Sequence, residues 1–412
     1  MTSKVQDLPR HEPPRPRVLF LHQGGELYGS DRVFLDTVRS LSCHVDPIVV
    51  IDFPGPLLDQ LRGVAKQVHV RRLGVLRRIL LGPVGGPLTA WRLITAIPWL
   101  VSMIRKNDIS LVYSNTLGVL AGSAAAYLTG RPHLWHVHEM ISRPGWAAAL
   151  LAWLAGTFSH GILVPSQAAA DHLRRFFGAG KPRLWVAYNS ISTERFDGLS
   201  PGSIRRELGI QADDFVILMV GRISRSKGQE YLLDILHAMV RGGFNRFRAL
   251  VVGDVFAGYE FLRPQLQHRI EELRLQHHVT LCGWREDIPS LMTDADVVVV
   301  PSLMPEPFGL VILEAMAARK PVVATAHGGP CEIVLHGRTG FLIPLGEPAA
   351  AAKVLVELAQ DPRLREQMGM EGYRLAKDRF NLEHYSQGIW EHVSEMLRLT
   401  PNLSGSTGDE SP

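Results

Sequence analysis

The chain has 412 residues, 46% of them hydrophobic, which is enough for two or three packed domains and too apolar for disorder to dominate. Lys and Arg number 44 against 40 Asp and Glu, a net charge of +4 without the interleaved basic excess of a nucleic-acid binder, so no nucleic-acid partner is expected. Three cysteines, Cys43, Cys282 and Cys331, are too few and too scattered for a disulfide framework or a zinc site, which fits a reducing, cytoplasmic setting.

Residues 1–16 carry Pro9, Pro13, Pro14 and Pro16 among charges and read as a disordered arm rather than a secretory leader. From residue 17, short β-branched runs alternate with longer amphipathic stretches, the pattern of parallel sheets wrapped by helices. A first series of strands is expected at 17–22, 47–51, 111–113, 133–137, 161–164 and 183–187. Within it, the apolar window 79–104 is interrupted by Gly82, Pro83, Gly85, Gly86, Pro87, Arg92 and Pro98, so no membrane-spanning helix is expected. Residues 197–204, with Gly198, Pro201 and Gly202, read as a linker. A second series is expected at 215–220, 248–252, 279–281, 297–300, 321–324 and 340–343. A last helix runs from 381 to about 399, and 401–412 is a polar tail. The expected fold is thus α/β, with a first Rossmann-like domain over 17–197, a second over 198–380, and a helix at 381–400 crossing back to the first.

Most strands end in glycine or a polar residue, and ligands of open α/β sheets bind beyond the carboxyl ends of strands. After strand 215–220 come Gly221, Arg222, Arg225, Lys227 and Gly228, and then a helix. Cations at a helix start oppose the helix dipole unless an anion such as a diphosphate sits before the amides; a solvated basic loop is the alternative. In the run from Pro301 to Ala318, Glu314 is the one charge in an otherwise apolar helix, and vicinal ribose hydroxyls are suitable donors to it. Glu306 lies eight positions earlier, so both carboxylates can reach one ligand, with the free amides of Gly309, Leu310 and Val311 meeting its phosphate. A buried ion pair for Glu314 and a turn role for Glu306 are the structural alternatives.

In the first half, Gln23-Gly24-Gly25 follows the opening strand, where glycine permits close approach to a phosphate or sugar. It is not a GxGxxG fingerprint, which counts against a nicotinamide enzyme. His136 and His138 flank Val137 at a strand end and are expected on opposite faces. Asp294 and Asp296 read as a helix-to-strand turn, not a metal site. There is no GxSxG elbow and no P-loop.

These residues resemble a known family. Glu306 to Glu314 follows the E-x7-E signature with its EPFGL core, Gly221-Arg222 with Lys227-Gly228 follows the GR…KG loop, and Gly328-Gly329…Glu332-Ile333-Val334…Gly337…Thr339-Gly340 completes the pattern of glycosyltransferase family 4, of the GT-B fold. The resemblance spans residues 17–395. It implies retaining transfer of a sugar from a nucleotide-diphosphate donor without a metal ion or other cofactor. Arg222 and Lys227 would neutralise the leaving diphosphate, Glu314 would hold the ribose, and Glu306 would contact the donor sugar. Amides of Phe308, Gly309 and Leu310 would hold phosphate or sugar, Gly25 would line the phosphate from the opposite domain, and His138 would approach the reacting sugar. Two departures stand out: Asn189-Ser190-Ile191-Ser192 replaces the usual N-G-[VI]-D, and His138-Glu139 replaces His-Asp. A sugar-nucleotide epimerase of the same architecture and a non-catalytic nucleotide-sugar binder are the alternative functions.

Residues 62–106 hold nine basic residues and no acidic one, so this stretch carries +9 and the remaining chain 4 minus 9, or −5. It also holds Leu76, Ile79, Leu80, Leu81, Trp91, Trp99 and Leu100, with 91–104 expected to be buried. Arginines beside interfacial aromatics suit an anionic lipid surface. The expectation is peripheral binding at the inner face of the cell membrane and a saccharide or lipid-linked acceptor of surface polysaccharide assembly.

Overall fold

The computed structural model describes residues 14–76, 85–141, 145–177, 182–256 and 258–400. Residues 1–13 of the expected arm over 1–16, the tail over 401–412, and Arg77, Arg78, Ile79, Leu80 and Leu81 lie outside the described residues. The first sheet has seven strands: β1 (Arg17–His22), β2 (Asp46–Ile51), β3 (Gln67–Val70), β4 (Ile109–Asn115), β5 (His133–His136), β6 (Gly161–Val164) and β7 (Arg183–Val186), in the order β3-β2-β1-β4-β5-β6-β7. Helices α1 (Gly29–Leu41), α2 (Pro56–Arg62), α3 (Gly85–Lys106), α4 (Leu120–Thr129), α5 (Gly145–Phe158) and α6 (Gln167–Arg174) alternate with them.

The second sheet has six strands, β8 (Phe215–Val220), β9 (Phe247–Val252), β10 (Val279–Gly283), β11 (Val297–Val300), β12 (Val322–Thr325) and β13 (Gly340–Ile343), in the order β10-β9-β8-β11-β12-β13. A short helix α7 (Ser203–Glu207) precedes it, and α8 (Gln229–Arg241), α9 (Leu262–Glu272), α10 (Ile288–Asp294), α11 (Leu310–Ala317) and α12 (Pro330–Ile333) connect its strands. Helices α13 (Pro348–Gln360), α14 (Pro362–Arg379) and α15 (Leu382–Leu397) complete the chain. The described strand pairs of both sheets are parallel. Central strands such as β11, four valines in a row, are buried on both faces, which is why they read as continuous apolar runs rather than alternating ones.

The expected strands thus form, each within a few residues of its predicted limits, and β3 is added. Its sequence, Gln67-Val68-His69-Val70, is half-buried or exposed at the sheet edge and carries little apolar signal. The interrupted window 79–104 also behaves differently: from Gly85 to Lys106 it is one helix of 22 residues running through Pro98, long and apolar enough to cross a bilayer by length and composition. Pro98 lies on the exposed side, where the carbonyl it leaves unpaired one turn earlier can be solvated. Ala96, Leu100, Met103 and Ile104 join a core with Leu19, Leu21, Ile48 and Val112. Burial of the whole 91–104 segment is not what forms: Trp91 and Ile94 face outward.

The chain divides into two compact units, one of residues 14–134, 158–160 and 393–400, the other of 135–157 and 161–392. In the first, the hydroxyl of Thr400 donates to the carbonyl of Ser110 (2.9 Å), tying the end of the described chain to β4. In the second, Asp294 and Asp296 are the expected turn. Asp294 accepts from the amides of Gly202, Ile204 (2.6 Å) and Arg205 (3.2 Å) at the start of α7, and Asp296 accepts from the Arg205 guanidinium (2.6 Å) and the Val216 amide (2.8 Å). No cluster of three potential metal ligands occurs among the described residues.

Candidate functional site

The basic loop between β8 and α8 is held by its own backbone and one glutamine. Buried Gln229, the first residue of α8, donates to the Arg222 carbonyl (3.0 Å) and accepts from the Ser224 amide (3.3 Å). Gly228 caps α8 with φ +80°, and a side chain there would also strike the carbonyl of Pro301, so glycine is required twice over. The Leu303 amide donates to Ser226 (2.8 Å), joining this loop to the segment after β11.

That junction brings Lys227 to Glu306. The ammonium lies 2.7 Å from Glu306 Oε1, and the Ser302 hydroxyl donates to the same oxygen. Glu306 is 8% exposed. Burial pushes its pKa up, but the Lys227 charge and hydrogen bond, Ser302 and His327 outweigh it and hold the carboxyl below its usual value. It is therefore a fixed carboxylate, not the turn residue that the sequence left open. The carbonyl of Ser302 is itself held by the Thr325 hydroxyl and by His327 Nε2, each at 2.8 Å.

The backbone of Glu306 rests on the Gly328-Gly329 turn. Glu306 and Gly328 form an isolated parallel bridge, the Gly329 amide donates to the Glu306 carbonyl (2.8 Å), and Gly328 (φ +70°) has no room for a Cβ. Phe308 is buried between Tyr188 and Phe380, with ring centroids 6.2 and 6.1 Å away, which anchors the loop while its backbone leads into α11. Gly309 caps α11 with φ +107°, so the amides of Leu310 and Val311 open the helix as expected. Glu314 lies one turn further on and is half-buried, less enclosed than the surrounding apolar sequence suggested. The Arg222 guanidinium stacks on the exposed ring of Phe256, a neighbour that no sequence motif flagged.

A second set of bonds was illegible in the sequence. Glu332, at α12, accepts from the amides of Gln167 (2.9 Å) and Ala168 (2.7 Å) at the start of α6 and from the Tyr188 phenol (3.0 Å). Burial and this bond push the Tyr188 pKa up. The Ser166 hydroxyl donates to the Pro307 carbonyl (2.5 Å), one residue from Glu306. The loop bearing Glu306 is thereby clamped between the Gly328-Gly329 turn and the start of α6.

Gly24 and Gly25 are buried, and their close approach is to protein: a Cβ on Gly24 would strike the ring of Phe53, and one on Gly25 the backbone of residues 53–55. Beside them His22 Nε2 is 2.7 Å from Asp31, Asn115 is 2.9 Å from His22 Nδ1, and the imidazole stacks on Phe34. His138 is half-buried, its amide donating to Glu139 (3.2 Å). The expected divergence of His136 and His138 is wrong: their ring centroids lie 4.0 Å apart, because side chains at i and i+2 of extended chain share a face. Burial and the neighbouring His138 hold His136 well below its ordinary pKa.

Two Rossmann-like parallel sheets, with a cationic loop after the first strand of the second and a glycine-capped helix that carries Glu314 and is preceded by Glu306, define a GT-B protein. The chain belongs to the glycosyltransferases: residues 202–375 match the family described as glycosyl transferases group 1, and residues 28–195 match glycosyltransferase family 4. It is 33% identical over 211 residues to the uncharacterized glycosyltransferase MJ1607 of Methanocaldococcus jannaschii, covering 50% of this chain and 52% of that protein. It is 34% identical over 211 residues to D-inositol 3-phosphate glycosyltransferase of Paenarthrobacter aurescens, covering 50% of this chain and 51% of that protein. The chain therefore spans about half the length of these curated relatives. Among solved structures, HepE (Alr3699) of Anabaena in complex with UDP and glucose superposes with a TM-score of 0.78 at 27% identity, covering 92% of this chain and all of that one. HepE in complex with UDP-glucose gives 0.78 at 28%.

Proposed function

We propose that the chain is a retaining hexosyltransferase that moves a sugar from a nucleotide-diphosphate donor to a lipid-linked saccharide acceptor in surface polysaccharide or glycolipid assembly. The observation that carries this reading is the ion pair between half-exposed Lys227 and buried Glu306, in the loop that leads to the opening amides of α11. A lysine already held at one carboxylate oxygen keeps two ammonium protons for a diphosphate. With Arg222 and the amides of Phe308, Gly309, Leu310 and Val311, it offsets the charge of a departing phosphate, work that a magnesium ion does elsewhere, so no metal is required. Glu314 takes the ribose hydroxyls, Glu306 the donor sugar, His138 approaches the reacting sugar, and Gly24 and Gly25 line its phosphate. Retention follows from front-face attack within an ion pair. HepE was solved with UDP-glucose, which makes that donor the first to test.

The protein works on the inner face of the cell membrane, bound to anionic lipid through residues 62–106. The test is a thermal-shift panel of UDP-, GDP- and ADP-sugars, followed by NMR of the anomeric product with and without EDTA. A donor at 100 times its Kd adds about 2.7 kcal/mol of stability, with retained configuration and no effect of chelator. No stabilising sugar nucleotide, an inverted product, or strict magnesium dependence would overturn the reading.

A further inference from the structure

Helix α5 buries the opposite face from the one expected of a surface helix. Its 14 residues, GWAAALLAWLAGTF, contain no charge. Its buried positions are Ala148, Ala152 and Ala155 and its Leu151, Leu154 and Phe158 are half-buried, whereas both tryptophans and Leu150 face outward: Trp146 is 70% exposed, Leu150 46% and Trp153 55%. Positions 146, 150 and 153 follow the spacing of one helical stripe. A helix built only for the fold would bury these side chains and expose polar ones.

The inversion recurs on α3, where Leu88, Trp91 and Ile94 are exposed and Ala96 and Leu100 buried. Helix α4 packs against α3, and Tyr127 near its end is exposed and set edge-on to Phe158, the last residue of α5, at 5.5 Å. The basic stretch over 62–106 contributes less charge than its count suggests. Arg62 pairs with Asp59 (3.0 Å), Lys66 with Asp46 (2.5 Å) and Arg72 with Asp52 (3.4 Å), while Arg71 lies over the ring of Trp99 (4.8 Å).

We infer that the Trp146–Leu150–Trp153 stripe of α5 inserts into the interfacial zone of a lipid bilayer and supplies apolar anchoring that the basic residues alone do not. Tryptophans two turns apart on an uncharged helix face match the amphipathic layer between headgroups and acyl chains. The stretch over 62–106, net basic and free of acidic residues, gives the same chain a charge complementary to an anionic leaflet. The occupant is therefore lipid rather than a second protein. This inference rests on the membrane-facing reading proposed above and names the element that makes the contact.

The experiment is co-sedimentation of the full chain with vesicles of phosphatidylcholine alone and of phosphatidylcholine with phosphatidylglycerol, at low and high salt. Wild type is compared with the variant Trp146→Ser, Leu150→Ser, Trp153→Ser, with Trp146→Ser alone, and with Arg105→Gln, Lys106→Gln. The triple variant should lose on the order of 10²-fold in partitioning on both vesicle types, and the wild type should keep measurable binding at high salt. Trp146→Ser should show part of that loss even if the triple variant folds poorly. The basic variant should lose binding only on anionic vesicles at low salt. Wild-type partitioning by Trp146→Ser and the triple variant would overturn the inference, as would a change in sedimentation mass without vesicle binding, which would mean a second copy covers the face. Nucleotide binding, read by thermal shift in the same samples, should be unchanged. If the vesicle pattern holds but no sugar nucleotide binds, the transfer reading fails and the lipid contact stands.

Discussion

At the scale of single residues the account turns on Lys227. In the sequence it was one cation among three in a loop; in the structure it neutralises a carboxylate that has almost no contact with water. Lys227→Ala should therefore do two things. Turnover should fall on the order of 10²-fold or more, as loss of one preorganised charge does. Stability should also fall, by about 1–3 kcal/mol, because Glu306 is left buried without its cation. Adding Glu306→Gln to Lys227→Ala should recover much of the stability and none of the activity; denaturant melts of the single and double variants check it. Additive losses would mean that the pair is not coupled. The motifs made Glu306, Glu314, Arg222 and Lys227 legible because their spacing is local. Gln229, Phe256 and His327 were not, since each acts on a partner set by loop geometry. His136 and His138 were misjudged on periodicity alone.

Among the elements, the positions of the strands along the chain could be anticipated from short β-branched runs alternating with amphipathic stretches, and the edge strand β3 escaped because half-exposed residues carry little hydrophobic signal. The clamp between α12 and α6 had no such signal. Glu332 and Gln167 are 165 positions apart, and only the folded chain places a carboxylate over two helix-start amides. Glu332→Ala should cost about 1–2 kcal/mol, the worth of a good helix cap plus the Tyr188 bond. Because the clamp holds the Pro307 segment through Ser166, kcat should fall while nucleotide Kd stays within about twofold; calorimetry and initial rates separate the two. Glu332→Gln should recover part of both losses. An unaltered kcat would make the clamp a purely structural feature.

The whole molecule should be acid-labile from an unusual source. His133 is fully buried, and burial with His160 nearby lowers its pKa to about 3; His136 is lowered as well. Both groups have folded pKa values below their unfolded value of about 6.5, so the unfolded chain binds more protons as pH falls. For His133 the contribution is complete above pH 6.5 and is lost progressively toward pH 3, with a slope of about 1.4 kcal/mol per pH unit in that window, and His136 acts in the same direction. Melting curves between pH 7 and pH 5 should show the decline, and His133→Asn should flatten it. Glu306 adds nothing between pH 7 and pH 5, where its carboxyl is ionised in both the folded and the unfolded chain; its contribution is lost only further down, as the unfolded carboxyl protonates while the folded one stays charged.

The central claim, that the two carboxylates of the α11 segment serve different parts of one nucleotide sugar, is tested most directly by titration calorimetry of UDP, GDP and ADP into the wild type, Glu314→Gln and Glu306→Gln. One nucleoside diphosphate should bind the wild type. Glu314→Gln should weaken that binding by about tenfold or more, through loss of charge-assisted bonds to ribose hydroxyls. Glu306→Gln should leave it within a few-fold and abolish most sugar transfer. Undiminished nucleotide binding in Glu314→Gln together with its loss in Glu306→Gln would contradict the assignment.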